Sequence, residues 1–142
     1  MVLVKDIMET DVATIDCDDN VLNAALGMKK RDVSCLIVSM EGKAFGLITH
    51  RDIINRIVCE DKNPGETRVG DVMSTPLIAV NPLMTLEEVA DVLNRSGVKR
   101  LGVVSANKLE GIISATDIIV AETKLIKVLE RYVRLLKMET GR

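Results

Sequence analysis

Two short segments carry the residue types that could do chemistry. Thr49-His50-Arg51-Asp52 and Ser114-Ala115-Thr116-Asp117 each set a hydroxyl three residues ahead of a carboxylate, directly after an apolar run. The plainer chemistry of that spacing is a capping box: the hydroxyl takes a free N–H of the first helical turn, and the carboxylate reaches back to the N-cap N–H. A negative charge there also suits the helix dipole. A second chemistry does not exclude the first. Free N–H groups at a helix start attract phosphate, and the hydroxyl can bond the same anion. An Asp nearby can accept both hydroxyls of a ribose, as the acidic residue of dinucleotide folds does. Spacing alone leaves cap and ribose-phosphate site both open.

The remaining reactive residues exclude more than they offer. His50 is the single histidine, so histidine metal clusters and catalytic histidine pairs are ruled out. No nucleophile or second base accompanies it, and no catalytic residue is assigned. The three cysteines, Cys17, Cys35 and Cys59, form no C-x-x-C and read as small hydrophobes; no metal site is expected. Phe45 and Tyr132 are the only aromatics, and 19 basic against 21 acidic residues give a net charge of −2. Neither feature suits a nucleic-acid partner. No apolar run approaches the roughly 18 residues of a membrane span. The opening Met1-Val2-Leu3-Val4-Lys5-Asp6 lacks the shape of a signal peptide, so the expected location is cytoplasmic and no membrane partner is expected. At 142 residues and 47% apolar composition, the chain can build one core, or two small ones that share a boundary.

The elements that position these segments come from a duplication. Shifted by 65 residues, the chain matches itself: Asp6 meets Asp71, Met8 Met73, Thr10 Thr75, Ala25 Ala90, Val33 Val98, Leu36 Leu101, Val38 Val103, Gly46 Gly111, Ile48 Ile113, Asp52 Asp117, Ile53 Ile118 and Ile54 Ile119. The domains read as repeat 1 over 1–60, a polar linker over 61–68, repeat 2 over 69–120 and a C-terminal extension over 121–142. In each repeat a short strand comes first, Val12–Ile15 or Leu77–Val80. A helix follows, capped by Asn20 in one repeat and by the Thr85-Leu86-Glu87-Glu88 box in the other, where Gly97 sits as a C-cap. A hairpin comes next, 35–38 with 44–48 or 101–104 with 109–113, and a second helix starts at Thr49 or Ser114. The fold class is therefore α/β (α+β): two β-α-β-β-α units packed sheet to sheet, since one unit is too small to bury its own faces, plus a long C-terminal helix.

That tail helix runs from Ile118 to about Met138 without Gly or Pro. Leu125, Leu129, Tyr132 and Leu136 form a heptad-like seam, widened by Val128 and Leu135, opposite a basic face of Lys124, Lys127, Arg131 and Arg134. The basic face reads as solvated, and the apolar stripe as a subunit or partner contact. The two repeats also differ in charge. Lys99-Arg100 of repeat 2 stands where repeat 1 has Ser34-Cys35, and Arg51 of repeat 1 where repeat 2 has Thr116. Arg51, Lys99 and Arg100 can neutralise phosphate or simply be solvated. Lys99 and Arg100, placed in the second repeat, make the Asp117 site the better anion pocket.

Val4-Lys5-Asp6-Ile7-Met8 and Val69-Gly70-Asp71-Val72-Met73-Ser74-Thr75-Pro76, together with Gly46-Leu47-Ile48-Thr49-His50-Arg51-Asp52-Ile53 and Gly111-Ile112-Ile113-Ser114-Ala115-Thr116-Asp117-Ile118, resemble the opening and closing motifs of a CBS domain, present twice over about residues 1–120. Ile37 and Gly102 stand where that family often carries a proline. The resemblance implies a regulatory, non-enzymatic module that binds an adenosine-containing ligand (AMP, ADP, ATP, S-adenosylmethionine or an NAD-like compound) between the repeats, as in energy sensing. Ribose would go to Asp52 and Asp117, and phosphate to Thr49 and Ser114. Adenine would lie against the strand after Thr10 or Thr75. It also implies a homodimer that signals to a regulated protein partner, with the nucleotide as regulatory ligand and no other cofactor. The alternative is a ligand-free dimeric scaffold acting through the tail helix.

Overall fold

The duplication is visible element by element in the computed structural model, which describes residues 1–139. Residues 140–142 of the expected extension lie outside the described residues. The first repeat forms α1 (Val4–Ile7), β1 (Thr14–Asp16), α2 (Val21–Arg31), β2 (Cys35–Met40), β3 (Lys43–Thr49) and α3 (His50–Ile53), which continues as a π turn over Ile54–Val58. A 3-10 turn, Pro64–Glu66, lies in the linker. The second repeat forms α4 (Val69–Val72), β4 (Ala79–Val80), α5 (Leu86–Ser96), β5 (Arg100–Ser105), β6 (Lys108–Ser114) and α6 (Ala115–Glu139). Each sheet has three strands in sequence order, the first parallel to the second and the second antiparallel to the third.

Local chemistry sets the helix boundaries as the sequence implies. Asn20 accepts the Asn23 N–H to start α2, and Thr85 accepts the Glu88 N–H to start α5. Gly97 ends α5 at φ +71°, and Asp32 ends α2 in the same left-handed region at φ +53°, which a short polar side chain tolerates. The first strand of each repeat is shorter than expected. Ala13 and Ile78 still accept one N–H each, from Ile37 and Gly102, but the Leu77 N–H is spent on Phe45 of the other repeat, at 3.0 Å.

That exchange is the main feature the sequence does not reveal. The opening of each repeat packs on the other one. Val4 and Lys5 donate to Met84 and Pro82, and Glu9 exchanges both backbone bonds with Ile112, each at 2.9 Å. Val69 and Gly70 donate to Asp19 and Cys17, while Ser74 and Leu47 pair at 2.7 and 3.0 Å. The cores follow the exchange. Val4, Ile7 and Met8 join the second repeat's core around Leu101, Val103 and Ile113. Val69, Val72 and Met73 join the first repeat's core around Leu36, Val38 and Ile48. The motif glycines make the crossing possible. A Cβ on Gly46 would lie 2.6 Å from the Ser74 carbonyl oxygen, and one on Gly111 would lie 2.7 Å from that of Glu9.

The two repeats part company at their last helix. α3 is one turn long before its backbone widens into the π turn, where Arg56 donates to the carbonyls of Val72 and Met73 at 2.9 and 3.1 Å. α6 instead runs on for 25 residues. Beyond the second repeat it leaves Leu125, Leu129, Tyr132 and Leu136 exposed on the seam, with Ile126, Val128, Val133 and Leu135 beside them. No helix among the described residues is long and apolar enough to cross a membrane.

Candidate functional site

Both hydroxyl–x–x–carboxylate segments form the expected caps. Thr49 Oγ1 accepts the Asp52 N–H at 3.1 Å, and Asp52 Oδ2 accepts the Thr49 N–H at 3.0 Å. Ser114 Oγ accepts the Asp117 N–H at 3.1 Å, and Asp117 Oδ2 accepts the Ser114 N–H at 2.9 Å. Each cap stands at the mouth of a cleft between the repeats. The crossing of the opening segments builds those clefts: each one is walled by the closing motif of one repeat and the opening of the other.

The Asp52 cleft, about 370 Å³, is lined by Leu47, Thr49, His50, Arg51 and Asp52 from the first repeat and by Ser74, Pro76, Leu77, Ile78 and the Gly97–Arg100 stretch from the second. The Asp117 cleft, about 610 Å³, is lined by Ile112, Ser114, Ala115, Thr116 and Asp117 from the second repeat, and from the first by Glu9, Asp11, Val12, Ala13, Ile37 and 32–35. Shifted by 65 residues, the walls correspond: Ser74 to Glu9, Pro76 to Asp11, Leu77 to Val12, Gly97 to Asp32, Arg51 to Thr116. Both volumes are of the size that small ligands fill.

Seven of the nine sequence-predicted site residues thus line a cleft: Thr49, Arg51, Asp52, Ser114, Asp117, Lys99 and Arg100. Thr10 and Thr75 do not. Thr10 lines a separate hollow with Thr14, Ser39 and Lys43, and Thr75 packs its methyl group toward Gly46. The strand residues just beyond them, Val12, Ala13, Leu77 and Ile78, form the apolar wall. Lys99 and Arg100 do not belong to the Asp117 cleft alone, as their place in the sequence suggested: they line both clefts, and Arg100 donates to Ser34 Oγ at 2.7 Å.

Sequence reasoning missed Ser74. Its hydroxyl donates to Asp52 Oδ1 at 3.0 Å and Oδ2 at 3.3 Å, from across the cleft. Asp52 is also the one buried charged residue among the described residues, 8% exposed. In the Asp117 cleft the matching position is Glu9, whose Oε1 accepts the Asp11 N–H at 2.9 Å. Asp11 in turn pairs with Arg31 at 2.8 Å. Cys35 sits half-buried in the same wall; burial pushes its thiol up, against the opposing pull of Arg100. Burial also pushes the Cys17 thiol up, aided by Asp18 and Asp16 and opposed by Arg68. Asp16, Cys17 and Asp18 lie within 4.8 Å of one another by their ligand atoms, away from both clefts, with Asp18 paired to Arg68 at 2.8 Å.

The fold and the paired clefts define a tandem module in which two copies of one unit jointly enclose two related cavities. The chain belongs to the CBS-domain family, whose model matches residues 4–59 and 69–124, a family that generally binds adenosine ligands in regulatory roles. It is 37% identical over 117 residues to the CBS domain-containing protein YhcV of Bacillus subtilis, covering 82% of this chain and 83% of that one. It is 32% identical over 131 residues to a Methanopyrus kandleri protein, MK0525, covering 91% and 67%. Among solved structures, a hexameric CBS-CP12 protein from bloom-forming cyanobacteria superposes with a TM-score of 0.77 at 25% identity, over 99% of this chain and 88% of that one.

Proposed function

We propose that this chain is a regulatory module that binds an adenosine-containing ligand between its repeats and passes the resulting change to a partner protein. One observation carries the reading. In both clefts a carboxylate at a strand–helix corner faces an apolar wall supplied by the other repeat, with Lys99 and Arg100 alongside. A purine fits the apolar wall, a ribose the carboxylate, and a phosphate the cations. A ligand held this way touches both repeats at once, so occupancy alters how firmly they are joined. The test is thermal unfolding with AMP, ADP, ATP, S-adenosylmethionine and NAD. A ligand that binds only the folded chain adds about 2.7 kcal/mol at 100 times its Kd. A melting temperature unmoved by every compound, at millimolar concentration, sinks the reading.

Self-association is the second part of the proposal, and the exposed seam on α6 supports it. The CBS-CP12 relative is itself a hexamer. We infer a homodimer in which the seam of one copy meets its mate. Replacing Leu129 and Tyr132 together with Lys should lower association by several kcal/mol while leaving the melting temperature of the two repeats in place. A chain that runs as a 15.6 kDa monomer in light scattering at high micromolar concentration sinks it, and the scaffold alternative falls with it.

A further inference from the structure

The two clefts share one geometry and carry opposite charge, and we propose that they take different ligand classes. The Asp52 cleft takes a phosphorylated adenosine nucleotide; the Asp117 cleft takes an adenosyl compound that is uncharged or cationic at its 5′ end. This inference rests on the adenosine reading above and adds to it.

Lys99 and Arg100 line both clefts, so they cannot distinguish them. Without that pair, the Asp117 cleft keeps Glu9, Asp11, Asp32 and Asp117, four carboxylates and no cation. The Asp52 cleft keeps Asp52 and Arg51. Where the first has carboxylates at 9, 11 and 32, the second has Ser74, Pro76 and Gly97. Where the second has a guanidinium at 51, the first has Thr116. Arg31 pairs with Asp11 from outside the Asp117 cleft, but that pair is well exposed, 41% and 86%, and three carboxylates remain beyond it.

The two cap aspartates sharpen the contrast. Asp52 is buried and takes the Ser74 hydroxyl as well as the Thr49 N–H, so much of its charge is already satisfied. Asp117 is half-exposed and takes the Ser114 N–H, which leaves lone pairs for a ribose diol. An anion entering the Asp52 cleft therefore meets cations and a masked carboxylate. The same anion in the Asp117 cleft meets four carboxylates, each more exposed than Asp52. A unit charge about 4 Å away is worth roughly a factor of five in affinity in bulk water, and more in a shielded cleft. A sulfonium or an uncharged 5′ group escapes that penalty or gains from it.

The experiment is isothermal titration at low salt with AMP, with adenosine and with S-adenosylmethionine, whose sulfonium puts positive charge at the 5′ carbon. The parent should bind AMP at one site. Arg51→Gln, on an exposed side chain, should weaken AMP about 10- to 100-fold and leave S-adenosylmethionine unchanged. Asp117→Asn should weaken adenosine or S-adenosylmethionine and leave AMP unchanged. The double variant Glu9→Ser, Asp32→Gly carries residues that already fold at the equivalent positions, 74 and 97, and should gain a second AMP site. The inference is overturned if AMP fills both clefts of the parent with similar affinity, or if Arg51→Gln leaves AMP unchanged. It is also overturned if AMP binds while neither adenosine nor S-adenosylmethionine reaches the Asp117 cleft. In those cases the adenosine reading survives. If none of the three compounds binds, this inference falls, and the adenosine reading falls with it when ADP, ATP and NAD also leave melting unmoved.

Discussion

The Asp52 and Asp117 clefts are the same object built twice. Each has a glycine under the crossing segment, a hydroxyl–carboxylate cap at the corner, and an apolar wall from the other repeat. They differ at residues that line the cavity: Ser74 against Glu9, Pro76 against Asp11, Gly97 against Asp32, Arg51 against Thr116. After duplication, positions that hold the backbone together tolerate little change, while cavity-facing positions are free to diverge. One scaffold can therefore offer two electrostatic environments without any change of topology.

The largest expected effect tests what the clefts share. Gly46→Val and Gly111→Val each push a side chain into a carbonyl oxygen less than 3 Å from where its Cβ must sit. The crossing segment has to move, and its own core anchors, Val69 and Val72 or Val4 and Ile7, are drawn out with it. Overpacking of this kind costs about 1–3 kcal/mol, with lost core contacts on top. Urea unfolding should show the two variants destabilised to a similar degree. A variant that keeps parental stability at one glycine only would mean that the two crossings are not equivalent.

How much of this was legible in the sequence depends on the range of the interaction. Short-range chemistry was readable: the caps at Asn20, Thr49, Thr85 and Ser114, the left-handed stop at Gly97, and both hairpins all stand where spacing put them. The duplication was readable because a fixed offset needs no structure. The crossing was not. Nothing in Val4–Met8 says which repeat it will cover, because its apolar residues suit either core. Missing the crossing had two consequences. Ser74 went unnoticed as a partner of Asp52, 22 residues away in sequence. The place of Lys99 and Arg100 in the second repeat points to one cleft, whereas they line both. The sharing of residues across a pseudo-symmetric boundary is a property of the assembled pair, and local sequence patterns do not contain it.

A smaller effect separates the two caps. Asp52→Asn puts an amide where a buried carboxylate accepts both the Thr49 N–H and the Ser74 hydroxyl. One of those donors must lose its acceptor, at about 1–3 kcal/mol for a buried group. Asp117→Asn disturbs a more exposed cap with the Ser114 N–H alone, at about 1 kcal/mol or less. The ratio of the two losses, read from urea midpoints at constant slope, measures how far Ser74 has committed Asp52 to structure. Adding Ser74→Ala should bring the Asp52→Asn penalty down toward that of Asp117→Asn. Equal penalties in the parent background would show that the Ser74 contact carries no weight.

The smallest effect uses Cys35 to watch one cleft without changing it. Cys35 lines the Asp117 cleft and not the Asp52 cleft, and its position matches that of Arg100 in the second repeat. Burial holds its thiol above the usual value of 9.0, so at neutral pH less of it is the reactive thiolate than in an exposed cysteine. Cys59 is exposed and should alkylate first, Cys35 more slowly, and the buried Cys17 last. The same shift fixes a sign for stability. The folded chain keeps the Cys35 proton longer than the unfolded chain does, so the thiol's contribution is whole below about pH 9 and is lost as pH rises beyond it. Cys35→Ala should shrink that alkaline loss. Ligand specificity then becomes visible at a single atom. S-adenosylmethionine should slow Cys35 alkylation several-fold by covering the Asp117 cleft, whereas AMP, held on the other side of Lys99 and Arg100, should leave the rate close to that of the free protein. If AMP protects Cys35 as well as S-adenosylmethionine does, the charge difference between the clefts does not sort ligands, and the two sites are functionally one kind.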